Sequence, residues 1–222
     1  MRMTAIAAAV LALAAPLPAS AQMRTVWTFD RLDRIGGLAP RVEGQPVVVA
    51  TPLGKAVAFD GVDDALFLDR HPLAGAKTFT IEAVFRPDGG AFEQRWLHLA
   101  ENGPGGEPGD TRLMFEIRVV GNSWYLDAFA NGPGYKHTLV FPQTRYPVGQ
   151  WYHVAQSFDG KTYRAYVAGI LQGEAEIAYA PQGAGQTSAG TRINRRNYFH
   201  GAIRQVRFTR RALKPAQFLK LP

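Results

Sequence analysis

The chain has 222 residues, no cysteine and a formal charge of +7 at pH 7. That length suits one β domain with a sizeable core, and the missing cysteine excludes disulfides and thiolate metal centres, so packing alone must hold the fold. The 23 glycines and 15 prolines are dispersed along the chain, as many short strands joined by turns require.

In chain order, residues 1–21 carry a single charge, Arg2, then an Ala-rich apolar run and the small-residue site Ala19-Ser20-Ala21. This pattern predicts a secretory signal peptide with cleavage before Gln22. The run is too short and too rich in alanine for a membrane span, and no later stretch is long enough, so no membrane insertion is expected. The expected product is a secreted or periplasmic protein, with residues 22–222 forming one domain.

After TVWTFD, a first strand, comes PVVVA, a β-branched run between Pro46 and Pro52. KAVAFDGVDDALFLD supplies two strand-like pieces around Asp60, Asp63 and Asp64. FTIEAVFRP alternates cleanly, with Phe79, Ile81, Ala83 and Phe85 on one side and Thr80, Glu82, Val84 and Arg86 on the other. In RWLHLA the same rule sends Leu97 and Leu99 inward and Trp96 and His98 outward. The composition of ENGPGGEPGD predicts an irregular loop. TRLMFEIRVV places Leu113, Phe115, Ile117 and Val119 inward and Arg112, Met114, Glu116 and Arg118 opposite. SWYLDAFA and HTLVF follow as strands. Segment 149–173 is a hairpin: WYHVAQSF and TYRAYVA flank Asp159-Gly160, with Tyr163, Ala165 and Val167 facing the core and Gly169 at the next turn. GAIRQVRFT is the last strand, and RALKPAQFL makes one or two helical turns that bring Leu213 and Phe218 onto the domain. No repeat and no linker divides the chain, so the pattern predicts an all-β sandwich of two antiparallel sheets.

No acidic residue follows Glu176, whereas Arg192, Arg195, Arg196, Arg204, Arg207, Arg210, Arg211, Lys214 and Lys220 do. Such an end serves either as a solvated basic face or as a patch for an acidic polymer such as a uronate-rich glycan. No nucleic-acid module is recognisable, so nucleic acid is not an expected partner.

The segments AVAFDGVDDALFL, FTIEAVFRP, GQWYHVAQSFDGKTYRAYVAG and GAIRQVRFTRRAL, in that order, resemble the laminin-G-like, concanavalin A-like jelly-roll domains of secreted bacterial proteins. The resemblance spans most of 45–218, with Trp151-Tyr152-His153-Val154-Ala155 among its most specific pieces. It implies a jelly-roll sandwich whose concave sheet meets carbohydrate. It also implies calcium on loop carboxylates, for which Asp60, Asp63 and Asp64 are the candidate ligands, although Asp-Gly and Asp-Asp also serve as plain turn residues. Ala168 stands where relatives usually carry Asp or Asn, and Arg204-Gln205 where they carry acidic residues. His153, in the motif, is expected to pin a turn.

Outward positions supply the candidate ligand-binding set Trp96, His98, Arg112, Glu116, Arg118, Tyr125, Asp127, Arg164 and Tyr166, beside Glu82. Aromatic rings cover apolar faces of sugars, and charged groups fork onto hydroxyls and carboxylates. The Glu-x-Asp-x-x-Glu run of glycoside hydrolases with this fold is missing, which argues against glucanase chemistry. The expected function is a non-catalytic, lectin-like module for a glycan, with an acidic glycan suited to the basic charge. An alternative is a polysaccharide lyase, in which His98 or Tyr125 removes the proton beside a uronate carboxylate that Arg118 neutralises. A further alternative is an adhesion module that meets a protein partner along a sheet edge or at the basic end.

Overall fold

The computed structural model describes residues 23–221; the signal peptide expected at 1–21 lies outside the described residues. The strands are β1 (Arg24–Thr28), β2 (Arg41–Glu43), β3 (Val47–Thr51), β4 (Gly54–Asp60), β5 (Ala65–Leu68), β6 (Phe79–Pro87), β7 (Glu93–Asn102) and β8 (Pro108–Val120). They continue with β9 (Ser123–Gly132), β10 (Tyr135–Val140), β11 (Tyr146–Pro147), β12 (Tyr152–Phe158), β13 (Thr162–Val167), β14 (Ile170–Glu176), β15 (Gly185–Ala189) and β16 (His200–Thr209). The first sheet runs β14-β13-β12-β6-β16-β4-β3, with β1 also on β16. The second runs β10-β9-β8-β7-β15-β5-β2, with β11 on β9. The all-β jelly-roll sandwich expected from the sequence is what the chain forms.

The faces follow from the period-two alternation. Phe79, Ile81, Ala83 and Phe85 of β6 meet Leu97, Leu99, Leu113, Phe115 and Ile117 of the second sheet in one buried cluster. Phe85 stacks on Trp96 at 4.6 Å between centroids and meets Trp124 edge-on at 5.2 Å. Each such side chain contributes about 1.5–3 kcal/mol by leaving water, which is how a cysteine-free chain holds together.

The hairpin β12–β13 pairs Phe158 with Tyr163, and Asp159 closes the turn through its side chain. Its Oδ1 accepts the amides of Lys161 and Thr162 at 3.0 and 2.8 Å, and only Gly160 has positive φ, +105°. The next turn uses Ala168 and Gly169 at φ +50° and +78°. The stretch expected to be irregular, ENGPGGEPGD, is half strand: β7 continues to Asn102 and β8 begins at Pro108, with a 3-10 turn at Pro104–Gly106 between them. The end of the chain makes a second 3-10 turn, Pro215–Gln217, and lays Leu213 and Phe218 on the first sheet. Among the described residues no helix is long and apolar enough to cross a membrane.

Candidate functional site

The two outer faces differ in a way that decides where a ligand has room. On the first sheet residues 210–221 cover the face over β6, β12 and β13. Phe218 packs edge-on against Tyr166 at 5.1 Å and tilts against His153 at 5.4 Å. Beneath it Glu82, fully buried, accepts from the Leu219 amide at 2.6 Å and from Arg207 Nε at 2.6 Å, and lies 3.1 Å from His153 Nε2. The Ala168 amide donates to the His153 backbone carbonyl at 2.8 Å at the following turn, while the His153 ring faces Glu82. Arg164 is engaged by Asp159 and Glu174. Arg164 and Tyr166 therefore belong to a closed face and stand apart from the other candidates.

On the second sheet the outward rows align across three strands. Arg112, Met114, Glu116 and Arg118 of β8 pair with Asn131, Phe129, Asp127 and Tyr125 of β9, while His98 and Arg95 of β7 pair with Met114 and Glu116. His98, Arg112, Glu116, Arg118, Tyr125 and Asp127 are thus brought to one face. Trp96 is not: β7 bulges between Arg95 and Leu97, which turns Trp96 into the core and Arg95 outward. The outward position expected for Trp96 is corrected accordingly. Alternation missed Arg95 for the same reason, and it missed Arg192 because that residue lies in the loop after β15.

A cleft of about 210 Å³ on this face is lined by five basic side chains (Arg95, Arg112, Arg118, Lys136 and Arg192) and two acidic ones (Glu116 and Asp127), with Met114, Phe129 and Thr138 between them. Arg118 bridges both carboxylates, reaching Glu116 Oε2 at 3.3 Å and Asp127 Oδ2 at 2.6 Å. Arg95 Nε lies 3.1 Å from Glu116 Oε2 without the alignment of a hydrogen bond. Arg112 stacks on Phe129 and pairs with Asp110, an almost fully exposed residue. Arg192 has no ion pair among the described residues. Among the described residues ten buried side-chain polar atoms lack a hydrogen-bond partner, and six belong to this face: Arg95 Nε, His98 Nε2, Arg112 Nε, Arg192 Nε and both oxygens of Asp127, of which Oδ2 is ion-paired with Arg118. Native interiors satisfy nearly all such atoms with protein groups, ordered water or a ligand, so this cluster calls for partners beyond the chain's own side chains.

Burial, and then Glu116 opposite, pushes the Asp127 carboxyl up to about 7 despite the pull of Arg118. His98 is pushed well below its ordinary range by burial and by Arg112, Arg192 and Arg95. Its Nδ1 accepts the Ile193 amide at 3.0 Å, so in the neutral ring Nε2 carries the proton. Burial and the guanidiniums of Arg112 and Arg95 also push Arg192 down.

His98 and Tyr125 do not converge. They are separated by two strand spacings, with β8 between, and by four residues along the sheet, roughly 10 by 13 Å. Asp60, Asp63 and Asp64 do come together, with one oxygen of each within 4.8 Å of the others. Several of those oxygens are already engaged: Asp60 Oδ1 accepts the Val62 amide at 2.8 Å, and Asp64 accepts the amides of Gln45 and Asp60 at 2.6 and 2.9 Å. Such bonds close the turn. A larger cleft, about 850 Å³, borders Arg24, Arg207 and Leu213 and opens at Met23, the first described residue.

The profile described as the Concanavalin A-like lectin/glucanases superfamily matches residues 60–218. The chain belongs to this superfamily. No curated protein sequence matches it. Among solved structures, this concanavalin A-like domain is similar to domain 4 of AbnA, an extracellular GH43 arabinanase of Geobacillus stearothermophilus in complex with arabinotriose, at 16% identity and TM-score 0.64, over 87% of this chain and 94% of that one. It is also similar to the binding domain of Paraclostridial Mosquitocidal Protein 1, at 12% identity and TM-score 0.62, over 88% of this chain and 51% of that one. The NanB sialidase of Streptococcus pneumoniae gives 19% identity and TM-score 0.55, and there the concanavalin A-like domain covers 68% of its own length but 25% of the sialidase. At these identities the likeness establishes the fold.

Proposed function

We propose that the chain is an exported, non-catalytic carbohydrate-binding module whose ligand lies across β8 and β9 on the open face of the second sheet. The observation that carries this reading is the gathering of unpartnered polar atoms there, beside the aromatic Phe129. The GH43 relative in complex with arabinotriose supports a glycan as the class of ligand. Five basic side chains against two acidic ones favour an acidic glycan over a neutral one. Binding is favoured over turnover because Arg118, the group that would neutralise a uronate carboxylate, is already held by Glu116 and Asp127, and His98 lies four residues along the sheet from it; Tyr125, opposite Arg118, is the one base candidate beside it. Glu116 and Asp127 are both held by Arg118, with no Asp127 oxygen exposed to meet a glycosidic bond.

Glycan-array binding by the exported chain tests the reading. Thr138→Trp, which fills the cleft from exposed β10, is expected to abolish the signal, and Arg164→Ala on the closed face to leave it intact. Loss of signal in the second variant but not in the first would overturn the assignment. Release of unsaturated sugars from a uronate polymer would replace binding with lyase chemistry.

A further inference from the structure

We infer that Arg95, Arg112 and Arg192 form a clamp for one anionic substituent of the bound glycan, a carboxylate or a sulfate ester, and that Asp127 opposes it; this rests on the proposed glycan-binding face. The three guanidiniums arise from different elements: β7, β8 and the loop after β15. Each has a buried Nε without a hydrogen-bond partner, and Arg192 makes no side-chain hydrogen bond or ion pair among the described residues. Holding three like charges this close costs folding free energy, and the depression of the Arg192 pKa by Arg112 and Arg95 registers that repulsion. The carboxylates at hand relieve it only in part. Glu93 accepts a hydrogen bond from Arg95 at 3.1 Å, Glu116 is shared between Arg95 and Arg118, Asp127 is taken by Arg118, and Asp110 sits in water, which leaves Arg192 without a counter-ion among the described residues. Planar guanidiniums offer paired N–H groups that match the oxygens of a carboxylate or sulfate. The neutral His98, buried beside them, adds an unmatched Nε2–H and no competing charge.

Asp127 gives the clamp a pH response. The charged and titratable groups around it are Glu116 and Arg118 of β8, Arg95 and Glu93 of β7, Lys136 of β10 across the cleft, and the buried Tyr163 of β13. Its carboxyl is raised to about 7, so a fall in pH from 8 to 6 removes a negative charge from the cleft while an ester sulfate or uronate keeps its own. By linkage, an anion bound nearby raises the Asp127 pKa further.

Titration calorimetry on the exported chain with two matched pairs tests this: trigalacturonate against its methyl ester, and dextran sulfate against dextran. At least one anionic probe is expected to bind about tenfold or more tighter than its neutral partner. The pair that shows the difference tells carboxylate from sulfate. Arg192→Gln is expected to remove most of that difference, about tenfold; Arg112→Gln serves as the second variant. Anion affinity should rise about three- to tenfold from pH 8 to pH 6, and Asp127→Asn should fix it near the low-pH value. Equal affinity for charged and neutral partners, or an unaffected Arg192→Gln variant, overturns the clamp while leaving glycan binding standing. A pH-independent parent overturns the role of Asp127. Array binding to neither charged nor neutral sugars removes the underlying reading as well.

Discussion

Glu116 and Asp127 oppose each other directly across β8 and β9, two buried carboxylates in one cross-strand pair on the outer face of the second sheet. Like charges in that position destabilise a sheet. The chain tolerates them because Arg118 spans both and because Asp127 takes up a proton near neutrality.

The pH dependence of stability follows from that pair. The Asp127 pKa in the folded protein, about 7, lies above its ordinary value of 3.8. The folded state therefore holds a proton that the unfolded state releases. This contribution is fully present below pH 3.8 and is lost as pH rises towards 7, by at most about 4 kcal/mol. Thermal unfolding should show Tm falling between pH 5 and pH 8, with Asp127→Asn flattening the slope and melting above the parent at pH 8. A slope unchanged by the substitution would place the titrating group elsewhere.

Arg118 and Arg192 line the same cleft but should respond oppositely to truncation. Arg118→Ala leaves Glu116 and Asp127 facing each other without a shared cation, a loss of about 3–5 kcal/mol for a broken buried pair. Arg192→Gln removes a charge whose repulsion by Arg112 and Arg95 outweighs its attraction to Glu116, so stability should hold or rise by a few tenths of a kcal/mol. Denaturant midpoints of the two variants, measured with unchanged slopes, check the contrast. Equal destabilisation would mean that Arg192 also carries a structural ion pair.

The sandwich was legible in the sequence because strand alternation and turn chemistry act locally. Tyr163, Ala165 and Val167 face the core as their spacing dictates, and Asp159-Gly160 closes the hairpin. The site was legible only in part, because alternation gives a residue's side of its strand and not the neighbour of that strand. Arg164 and Tyr166 share the outward pattern of Arg118 and Tyr125 yet lie on the opposite sheet. One bulge exchanged Trp96 for Arg95. Arg192 sits in a loop, where no period exists to place it.

Ala168 carries a left-handed backbone, φ +50°, beside Gly169 in the β13–β14 turn. The Cβ of alanine is disfavoured there, whereas asparagine tolerates the region. Ala168→Asn should stabilise the domain by about 0.5–1 kcal/mol, read as a raised Tm with ligand affinity unchanged. A fall in Tm would show that the small side chain is needed against the C-terminal segment, whose Phe218 and Leu219 border Ala168 and Gly169.

Phe218 fastens that segment. Its ring, about 6% exposed, covers His153 and Tyr166, and the next residue gives its amide to Glu82. Phe218→Ala removes the ring and loosens the one backbone donor on a buried carboxylate, so the cost should reach about 2–4 kcal/mol. Hydrogen exchange at the Leu219 amide should quicken by more than at core amides of β6, because the segment lifts before the sheet unfolds. Glycan binding should persist in the variant at temperatures where it stays folded, since Phe218 and the cleft lie on opposite sides of the sandwich. Loss of binding without loss of fold would mean instead that the ligand uses the face that Phe218 covers.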